Sequence, residues 1–178
     1  MEVRVDQYHG FREFMTARSG QLSRFAYMLT GDHHAAEDLL QTALAKVAVR
    51  WRKISRYEQP EAFVRRVMVN EHISGWRKRR KLIEHATSEI PDTVVVPDPS
   101  DATVRQILVN RALAQLSPRQ RAVLVLRFYE DLTEVQTAAE LGISVGTVKS
   151  HAHDALAKLR SVASELADLL RDDSEVTA

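Results

Sequence analysis

The hydrophobic residues in the first half of the chain recur with the spacing of α-helices. Three segments show this spacing, and they run roughly from Tyr8 to Leu29, from Asp32 to Trp51 and from Pro60 to Lys81. Asp32 is placed to cap the second segment, and Pro60 suits the first turn of the third because a proline there loses no hydrogen bond. The pattern predicts three or four helices in this first block.

Apolar side chains define the inner side of these predicted helices. In the second segment they form one stripe, while the charged residues fall on other sides. The stripe consists of Ala36, Leu40, Ala43, Leu44, Val47 and Trp51. In the third segment Phe63, Val67 and either Asn70 or Ile73 occupy the inner side. We therefore expect the helices of the first block to pack into a small bundle.

The second half of the chain carries explicit signals for helix starts. A helix over roughly Val104 to Leu116 is followed at once by Ser117, Pro118 and Gln120. A serine with a glutamine three residues later forms a capping box, in which each side chain accepts from the backbone N–H of the other residue. Pro118 takes the first helical position, where proline is favoured. The sequence predicts that a new helix begins at this point.

A helix-turn-helix pattern follows. Thr133 and Gln136 repeat the capping box and open a third helix of the second block. Gly142 should end that helix, since glycine adopts the left-handed backbone conformation at little cost. Ser144 then caps a fourth helix, from about Val145 to Leu159 or beyond. Two helices joined by a three-residue turn with glycine are typical of DNA-binding helix-turn-helix proteins.

The last helix of this pattern has an apolar side and a polar side. Ala138 and Ala139 are small enough to lie where the two helices cross. The apolar positions that fix the crossing are Leu141, Ile143, Val145 and Val148, continued by Ala152, Ala155, Leu156 and Leu159. The polar side carries Thr147, Lys149, Ser150, His151, His153 and Asp154. Donors in this position predict contacts with bases and phosphates in the major groove, and a solvated helix face is the alternative.

Charge is segregated along the chain, although the formal net charge of the 178 residues is only +1. Residues Arg50 to Lys81 hold eleven Lys and Arg against three Asp and Glu. This local positive excess predicts a surface that binds a polyanion. Residues Leu82 to Thr103 then hold five acidic residues, no Lys or Arg, and the helix-interrupting Pro91, Pro97 and Pro99. Such a composition is typical of a linker.

The patterns together predict an all-α protein of two small helical domains joined by an acidic, proline-containing linker. We place the first domain at residues 1–82, the linker at 83–103, the second domain at 104–165, and an acidic C-terminal tail that should fray at 166–178. With 44% hydrophobic residues, the domains can bury cores of ordinary size.

The chain lacks the residues that several other classes of protein need. There is no cysteine, no signal-peptide pattern at the N-terminus and no apolar run long enough to span a membrane, so we expect a cytoplasmic protein. His151 and His153 cannot share a metal ion, because side chains two residues apart on a helix diverge. No phosphate-binding glycine loop, nucleophile elbow or zinc-protease motif occurs, and Glu37 with Asp38 suits an acidic first helical turn. We therefore expect no metal, no cofactor and no enzymatic activity.

Two long parts of the chain resemble the extracytoplasmic-function (ECF) group of RNA polymerase sigma factors. The first resembles their region 2 and consists of Thr30 to Trp51 (TGDHHAAEDLLQTALAKVAVRW) and Pro60 to Arg80 (PEAFVRRVMVNEHISGWRKRR). The second resembles region 4 and runs from Ser117 to Arg160 (SPRQRAVLVLRFYEDLTEVQTAAELGISVGTVKSHAHDALAKLR). The likeness is to the actinobacterial SigE-like group in particular. It implies a sigma factor that binds core RNA polymerase, recognises −35 and −10 promoter elements, aids promoter melting and directs transcription initiation.

The resemblance implies roles for residues of the first block. By the resemblance, Asp38, Gln41 and Leu44 are expected to dock on the clamp helices of the largest polymerase subunit, and an acidic and amide surface suits such a basic coiled coil. Residues Arg52 to Lys81 hold the −10 element with its non-template strand unpaired, and Asn70 matches the position beside the captured base. Stacking faces and a basic track complete such a site. The candidates for these are Tyr57, Trp76, Arg65, Arg66, Arg77, Lys78, Arg79 and Arg80.

In the second block the resemblance implies that region 4 reads the −35 element and touches the polymerase flap. The candidate readers are Thr147, Lys149, Ser150, His151 and His153. Lys149 and Ser150 match the family best, with Thr147 nearby on phosphate. Asp154 departs from the family pattern, because many relatives carry arginine there. A carboxylate can accept from a cytosine amino group but otherwise repels phosphate, so the −35 preference should differ.

Several alternatives stay open beside this interpretation. A stand-alone helix-turn-helix regulator would bind an operator tightly without polymerase, but it leaves the basic block unexplained. A helical interaction protein, such as an anti-sigma antagonist or an inactive sigma homologue, would bind polymerase without initiation. An anti-sigma factor is also a candidate partner, since such proteins bind the same two regions. The acidic linker either threads through polymerase where RNA later passes or is a plain tether, and Phe63 fits a core better than a stacking face.

Overall fold

The computed structural model describes residues 8–85 and 104–175. These residues form eight α-helices and one π-helical segment, and no strand occurs among them. They divide into two compact units, of which the first holds the described residues up to His85 together with Glu140–Gly142, and the second holds the others. The prediction of an all-α protein with two small helical parts is confirmed.

Four helices belong to the first unit. They are α1 (Phe11–Thr30), α2 (His33–Ala48), α3 (Trp51–Ile54) and α4 (Pro60–His85). Gly31 ends α1 in the left-handed conformation, and its N–H donates to the carbonyl of Tyr27 at 2.7 Å. Asp32 caps α2 as predicted, since its carboxylate accepts from the N–H of Ala35 at 2.7 Å. Pro60 opens α4, as its position in the sequence predicts.

Side chains from all four helices form the core of the first unit. Its members include Leu22, Phe25, Leu29, Ala36, Leu39, Ala43, Val47, Trp51, Ile54, Val64, Met68 and Val69. The predicted stripe of α2 is shifted, because Leu39 is buried while Leu40 and Leu44 are only partly buried. Leu39 lies three and four residues from its buried neighbours Ala36 and Ala43, which is the spacing of one helix face. A second correction concerns Trp51, which starts the separate helix α3 because α2 ends at Ala48.

The inner side of α4 lies one position away from the prediction. Over residues 60–81 of this helix, the buried apolar residues are Val64, Met68 and Val69. The predicted Phe63, Val67 and Ile73 are only partly buried, and Asn70 is exposed. Because α4 packs on both α1 and α2, its buried side is set by two neighbours at once, which periodicity alone does not reveal.

Trp51 joins α3 to the beginning of α1. Its ring centroid lies 5.2 Å from that of Phe11 and 4.8 Å from that of Phe14. Its indole N–H donates to the carbonyl of His9 at 2.8 Å. A buried indole needs such an acceptor, because an unpaired N–H in a core is costly. These contacts fix the position of α3 and of the basic residues that surround it.

The second unit contains the remaining helices, except for the last two residues of α7, and both predicted capping boxes. Its elements are α5 (Val104–Ala114), α6 (Pro118–Leu124), the π-helical segment (Val125–Tyr129), α7 (Glu134–Leu141) and α8 (Val145–Glu175). Ser117 and Gln120 exchange hydrogen bonds of 3.1 and 3.2 Å. Thr133 and Gln136 do the same at 2.8 and 3.2 Å. These bonds satisfy N–H groups that a helix start leaves without intrahelical partners.

The turn between α7 and α8 has the predicted conformation. Gly142 follows α7 with a φ of 63°, in the left-handed region that favours glycine. The N–H of Ile143 donates to the carbonyl of Ala138 at 3.1 Å. Ser144 caps α8, because its hydroxyl accepts from the N–H of Thr147 at 3.1 Å. The helix-turn-helix is therefore present as predicted.

The interior of the second unit differs from the prediction at one position of α7. Leu113, Leu116, Leu124 and Ala155 form a buried cluster, against which Leu156 and Leu159 pack. Ala138 and Val148 are buried as predicted. The prediction for Ala139 is wrong, since this residue is exposed and Thr137 is fully buried instead. The inner side of this short helix follows Thr137, Ala138 and the partly buried Leu141, at helical spacing.

The π-helical segment after α6 is a feature that the sequence does not predict. The N–H of Glu130, just after the segment, donates to the carbonyl of Val125, five residues back, at 3.0 Å. Phe128, within the segment, is 64% exposed. A periodic pattern does not distinguish an N–H that bonds four residues back from one that bonds five back. Such wider turns are often found near functional positions.

The ends of α4 and α8 bear on the predicted boundaries. α4 continues to His85, into the predicted linker, and residues 86–103 of that linker lie outside the described part of the chain. α8 continues to Glu175, through most of the predicted tail, whose Ala, Leu and Glu residues favour a helix.

Among the described helices, none has the length and the apolar character that a membrane span requires.

Candidate nucleic-acid and partner interfaces

The three predicted docking residues lie along one side of α2. Asp38 and Gln41 are exposed, and Leu44 is partly buried. Gln41 donates through Nε2 to Oε1 of Glu37, one helical turn earlier, at 3.2 Å. This side of α2 presents carboxylates and an amide beside a partly accessible leucine, which suits a basic helix of a partner.

A groove of about 280 Å³ lies between α2 and α4, beside the docking residues. Asp38 and Thr42 line it from α2, and Glu71 and Arg79 line it from α4. The Nζ atom of Lys46 lies 2.5 Å from Oε1 of Glu71 and links the same two helices. The sequence does not identify this ion pair, because periodicity shows which side of a helix is polar but not which residues of two helices meet.

α4 exposes most of the residues predicted to hold the −10 element. Asn70 and Arg66 are exposed. Near the end of the helix the exposed side chains are Trp76, Arg77, Lys78, Arg79 and Arg80. Successive helical residues point in directions about 100° apart, so these cations surround the helix and can meet a polyanion from several directions. Arg65 differs from them, since only 8% of it is exposed.

Both predicted stacking residues are accessible. Tyr57, in the loop before α4, is 40% exposed, and its ring centroid lies 5.9 Å from that of the partly buried Phe63. Trp76 is 36% exposed, and Cζ of Arg80 lies 5.4 Å from its ring centroid. This cation–π contact orients the indole and places positive charge beside a ring that can stack on a base.

A second basic surface surrounds α3. Arg50, Arg52, Lys53 and Arg56 line an open pocket of about 440 Å³, together with Val49. No carboxylate is among the residues that line it. The excess of Lys and Arg between residues 50 and 81 predicts that these side chains belong to a basic surface. Only the fold shows that the four of them lie around one pocket. They extend the positive charge of the first unit beyond α4.

The recognition helix α8 presents the predicted −35 readers to different degrees. Lys149, Ser150 and His153 are exposed, whereas Thr147 and His151 are partly buried. Val148 and Ala155 are fully buried on the apolar side of the same helix. Burial of that side fixes the rotation of α8 about its axis, so the polar face keeps a defined direction.

Two of the predicted readers have contacts within the helix-turn-helix. The hydroxyl of Thr147 lies 2.8 Å from that of Ser144, in the cap of α8. Nζ of Lys149 lies 3.6 Å from Oε2 of Glu134, the first residue of α7. Glu134 is a residue that the sequence does not connect with the reading face, because nothing in the spacing shows that the two helices bring it to Lys149.

The histidines and Asp154 complete the polar face of α8. Asp154 is exposed, one residue after His153. In the parts of the chain that the structure describes, no group of three His, Cys, Asp or Glu side chains is placed to hold a metal ion. The carboxylate of Asp154 adds a negative charge to this face, whose predicted readers are hydrogen-bond donors. Because a carboxylate only accepts hydrogen bonds, Asp154 can bond only to a base that offers a donor, such as the amino group of cytosine.

Two family models match the chain in the order of its two helical units. The model for Sigma-70 region 2 matches residues 14–82, and the model for Sigma-70, region 4 matches residues 112–161. The first range includes most of α1 to α4, and the second includes α6, the π-helical segment, α7 and the first half of α8. All the predicted docking and DNA-binding residues lie within these two ranges.

Individual proteins resemble the chain over most of its length. The RNA polymerase sigma-E factor of Streptomyces coelicolor is 42% identical over 150 residues, which cover 84% of each chain. The ECF RNA polymerase sigma factor SigL of Mycobacterium tuberculosis is 34% identical over 150 residues, which cover 82% of this chain and 84% of the relative. Among solved structures, the sigma factor RpoE in complex with the anti-sigma factor NepR, from Bartonella quintana, aligns with a TM-score of 0.66 and 26% identity. That alignment covers 86% of this chain and 96% of the other.

Proposed function

Because the chain belongs to the sigma-70 family of RNA polymerase sigma factors, and within it to the ECF group, we propose that its two helical units divide promoter recognition between them. As a sigma factor it binds core RNA polymerase and directs initiation at promoters. Sigma factors are not catalysts, so the chemistry of RNA synthesis belongs to the polymerase. The first unit captures the melted −10 element, and the second reads the −35 element as a duplex.

The docking surface in this proposal is the side of α2 that carries Asp38, Gln41 and Leu44. Its support is the exposure of the first two residues and the neighbouring carboxylate of Glu37. A surface of this charge is complementary to basic clamp helices of the largest polymerase subunit. The ion pair between Lys46 and Glu71 ties α2 to α4, so docking on α2 also fixes the helix that binds DNA.

The −10 surface in this proposal combines α4 with the loop that precedes it. Asn70 offers an exposed amide that can donate to and accept from the edge of an unstacked base. Tyr57 and Trp76 offer ring faces for stacking, and Arg80 keeps positive charge next to Trp76. Opening a duplex costs a few kcal/mol for each extruded base, and capture by stacking and hydrogen bonds offsets that cost. The basic pocket around α3 can hold further phosphates of the same strand.

The −35 surface is the polar face of α8. Lys149 and Ser150 are exposed on this face. Val148, on the apolar side of the same helix, is fully buried and so holds the face in place. A recognition helix enters the major groove with residues near its N-terminus, and both side chains lie within the first two turns of α8. The second unit also contacts the polymerase flap in this proposal.

One observation carries the proposal. A single chain combines a basic region 2 helical unit, matched over residues 14–82, with a region 4 helix-turn-helix, matched over residues 112–161. A stand-alone regulator needs only the second of these. A protein that uses both DNA-binding units needs a partner that fixes the distance between them. Core polymerase is that partner in this proposal. The place of action is accordingly the cytoplasm, where bacterial polymerase works.

An anti-sigma factor is a further proposed partner. The solved relative from Bartonella quintana is bound to the anti-sigma factor NepR, and it aligns with 86% of this chain. We extend this property to the present protein, with the docking side of α2 and the polar face of α8 as the surfaces that such a partner would cover.

The experiment that tests the proposed function is run-off transcription. Purified core polymerase is supplied with sheared genomic DNA of the organism that encodes the protein, with and without the protein, and the 5′ ends of the RNA are sequenced. We expect new starts that share one pair of upstream elements. If no new start appears while the protein alone binds DNA tightly, the stand-alone regulator replaces the sigma factor.

A further inference from the structure

An ion pair joins the two helices of the helix-turn-helix on the side that faces DNA in the proposed function. Nζ of Lys149 on α8 lies 3.6 Å from Oε2 of Glu134 on α7. Both groups reach solvent, with 64% of the Lys149 side chain and 38% of the Glu134 side chain exposed. The pair is therefore open to DNA, and it involves the leading candidate for −35 reading.

The backbone on both sides of this pair is held in place. The capping box of Thr133 and Gln136 fixes the start of α7 next to Glu134. Ser144 caps the start of α8, and Val148, the neighbour of Lys149, is fully buried. The distance between the two helices is thus set by the fold, and only the side chains of the pair must be ordered to form it.

We propose that Glu134 is a positioning residue for Lys149. It restrains the ammonium group, so that Lys149 contributes to discrimination among −35 sequences rather than to general affinity for DNA. The inference rests on the proposed role of Lys149 as a −35 reader. Glu134 itself contacts no base in this account and acts through Lys149.

The physical reason lies in the nature of a lysine side chain. Its ammonium is a compact charge on a flexible four-carbon chain, so without restraint it pairs with any phosphate within reach. Phosphate contacts of this kind raise affinity for every sequence alike. A carboxylate 3.6 Å away competes with phosphate for the ammonium and holds it in one region. Because exposed ion pairs are weak, a well-placed base acceptor can still displace the carboxylate.

A purely structural role for Glu134 makes a different prediction. Glu134 is the acidic residue in the first turn of α7, where the helix dipole favours a carboxylate. If that were its whole role, its loss would lower stability slightly and leave sequence discrimination unchanged. A measurement of discrimination therefore separates the two roles.

The test uses the full-length protein assembled with core polymerase. Glu134→Gln is compared with the unchanged protein on two duplexes, one with the −35 element of a promoter found by run-off transcription and one with that element scrambled. We expect the affinity of the variant for the scrambled duplex to rise about threefold or more. The ratio of its affinities for the two duplexes should fall by a similar factor. The salt dependence of its DNA binding should become steeper by up to about one unit.

Two further variants show whether the effect passes through Lys149. Lys149→Met keeps an unbranched side chain and removes the charge, so Glu134→Gln should have no effect on discrimination in that background. Asp131→Asn is the matched charge control. It removes a carboxylate three residues before Glu134, at an exposed position with a φ of 53° that asparagine tolerates. It should leave the ratio of affinities unchanged.

The results distinguish failure of the role of Glu134 from failure of the role of Lys149. If Glu134→Gln changes discrimination no more than Asp131→Asn does, or acts equally when residue 149 is methionine, the positioning role is overturned and the proposed function stands. If Lys149→Met itself leaves discrimination unchanged, the role of Lys149 in −35 reading is overturned, and the inference about Glu134 falls with it.

Discussion

The two helical units carry positive charge in opposite ways. In the first unit the cations at residues 77–80 follow one another around α4, and those around α3 line an open pocket without a carboxylate. In the second unit Lys149 is the one Lys or Arg among residues 147–154 of the polar face of α8, and it is paired with Glu134. The first arrangement attracts a polyanion from many directions. The second offers a small number of donors in fixed directions.

This difference corresponds to the form of DNA that each unit binds in the proposed function. An unpaired strand is flexible, so charge along its backbone and stacking on its bases are what hold it. A duplex presents a regular pattern of donors and acceptors in its major groove, which only side chains in fixed positions can read. The amount of positive charge and the direction in which it points are therefore separate properties of the two units, and substitutions can change them separately.

The largest effect should follow from removing charge at the end of α4. Arg77→Ala combined with Lys78→Ala should lower the affinity of the holoenzyme for melted promoter DNA about tenfold or more and reduce its salt slope by about one to two units, because phosphate contacts release counterions. The measurement is a salt titration of binding to a promoter whose −10 element is already unpaired.

The matched control for this pair removes two exposed cations from α1, by Arg12→Ala with Arg24→Ala. It changes the net charge equally but leaves the surface of α4 intact, so the salt slope should stay as it is. A control that lowers affinity as much as the α4 pair would mean that total charge, rather than the α4 surface, governs binding to the strand.

A smaller effect is expected from the helix caps, which both units use. Asp32→Ala in the first unit and Ser117→Ala in the second each remove an oxygen that accepts a backbone N–H. Each should lower the free energy of unfolding by about 1 kcal/mol, as measured by urea denaturation. Asp32→Asn and Ser117→Thr keep an acceptor and should lose clearly less. Equal losses in the alanine and the conservative variants would remove the caps from the explanation of where these helices begin.

The smallest effect concerns a hydroxyl in the second unit. Oγ1 of Thr137 is buried without a hydrogen bond to any described residue, whereas Oγ1 of Thr133 accepts from the N–H of Gln136 at 3.2 Å. Thr137→Val should therefore leave stability unchanged or raise it by up to about 1 kcal/mol, because it removes a buried group that lacks a partner. Thr133→Val makes the same chemical change in a cap and should destabilise. Thermal unfolding of both variants checks this, and a larger loss from Thr137→Val would show that its hydroxyl has a partner.

Local chemistry made much of the fold predictable. The caps at Asp32, Ser117, Thr133 and Ser144 and the helix end at Gly142 each depend on residues at most five positions apart, and all of them form as predicted. Signals of this range are legible in a sequence because no distant part of the chain decides them. They place the two helices of the helix-turn-helix and, with them, the candidate −35 face.

What the sequence could not predict depends on packing between helices. Leu39 rather than Leu40 is buried in α2, and Thr137 rather than Ala139 is buried in α7, because neighbouring helices select the buried side. The ion pair between Lys149 and Glu134 has the same origin. The roles of individual site residues came from family resemblance, and they stay predictions until variants are measured.

The division of promoter recognition between the two units is tested by two single substitutions in the holoenzyme, Asn70→Ala on α4 and Lys149→Ala on α8. Binding of closed promoter DNA and the rate of promoter opening are measured separately, the first on duplex at low temperature and the second by fluorescence of a base within the −10 element. Binding of each variant to core polymerase serves as the control, and it should match that of the unchanged protein.

If the two units divide promoter recognition, the two effects separate. Asn70→Ala should slow opening about tenfold while closed-promoter binding stays nearly normal, since it removes a contact to the unpaired base. Lys149→Ala should weaken closed-promoter binding by about fivefold or more, and only where the −35 element is intact, while opening from the bound state keeps its rate. If both substitutions impair the same step to the same extent, the two units do not divide promoter recognition.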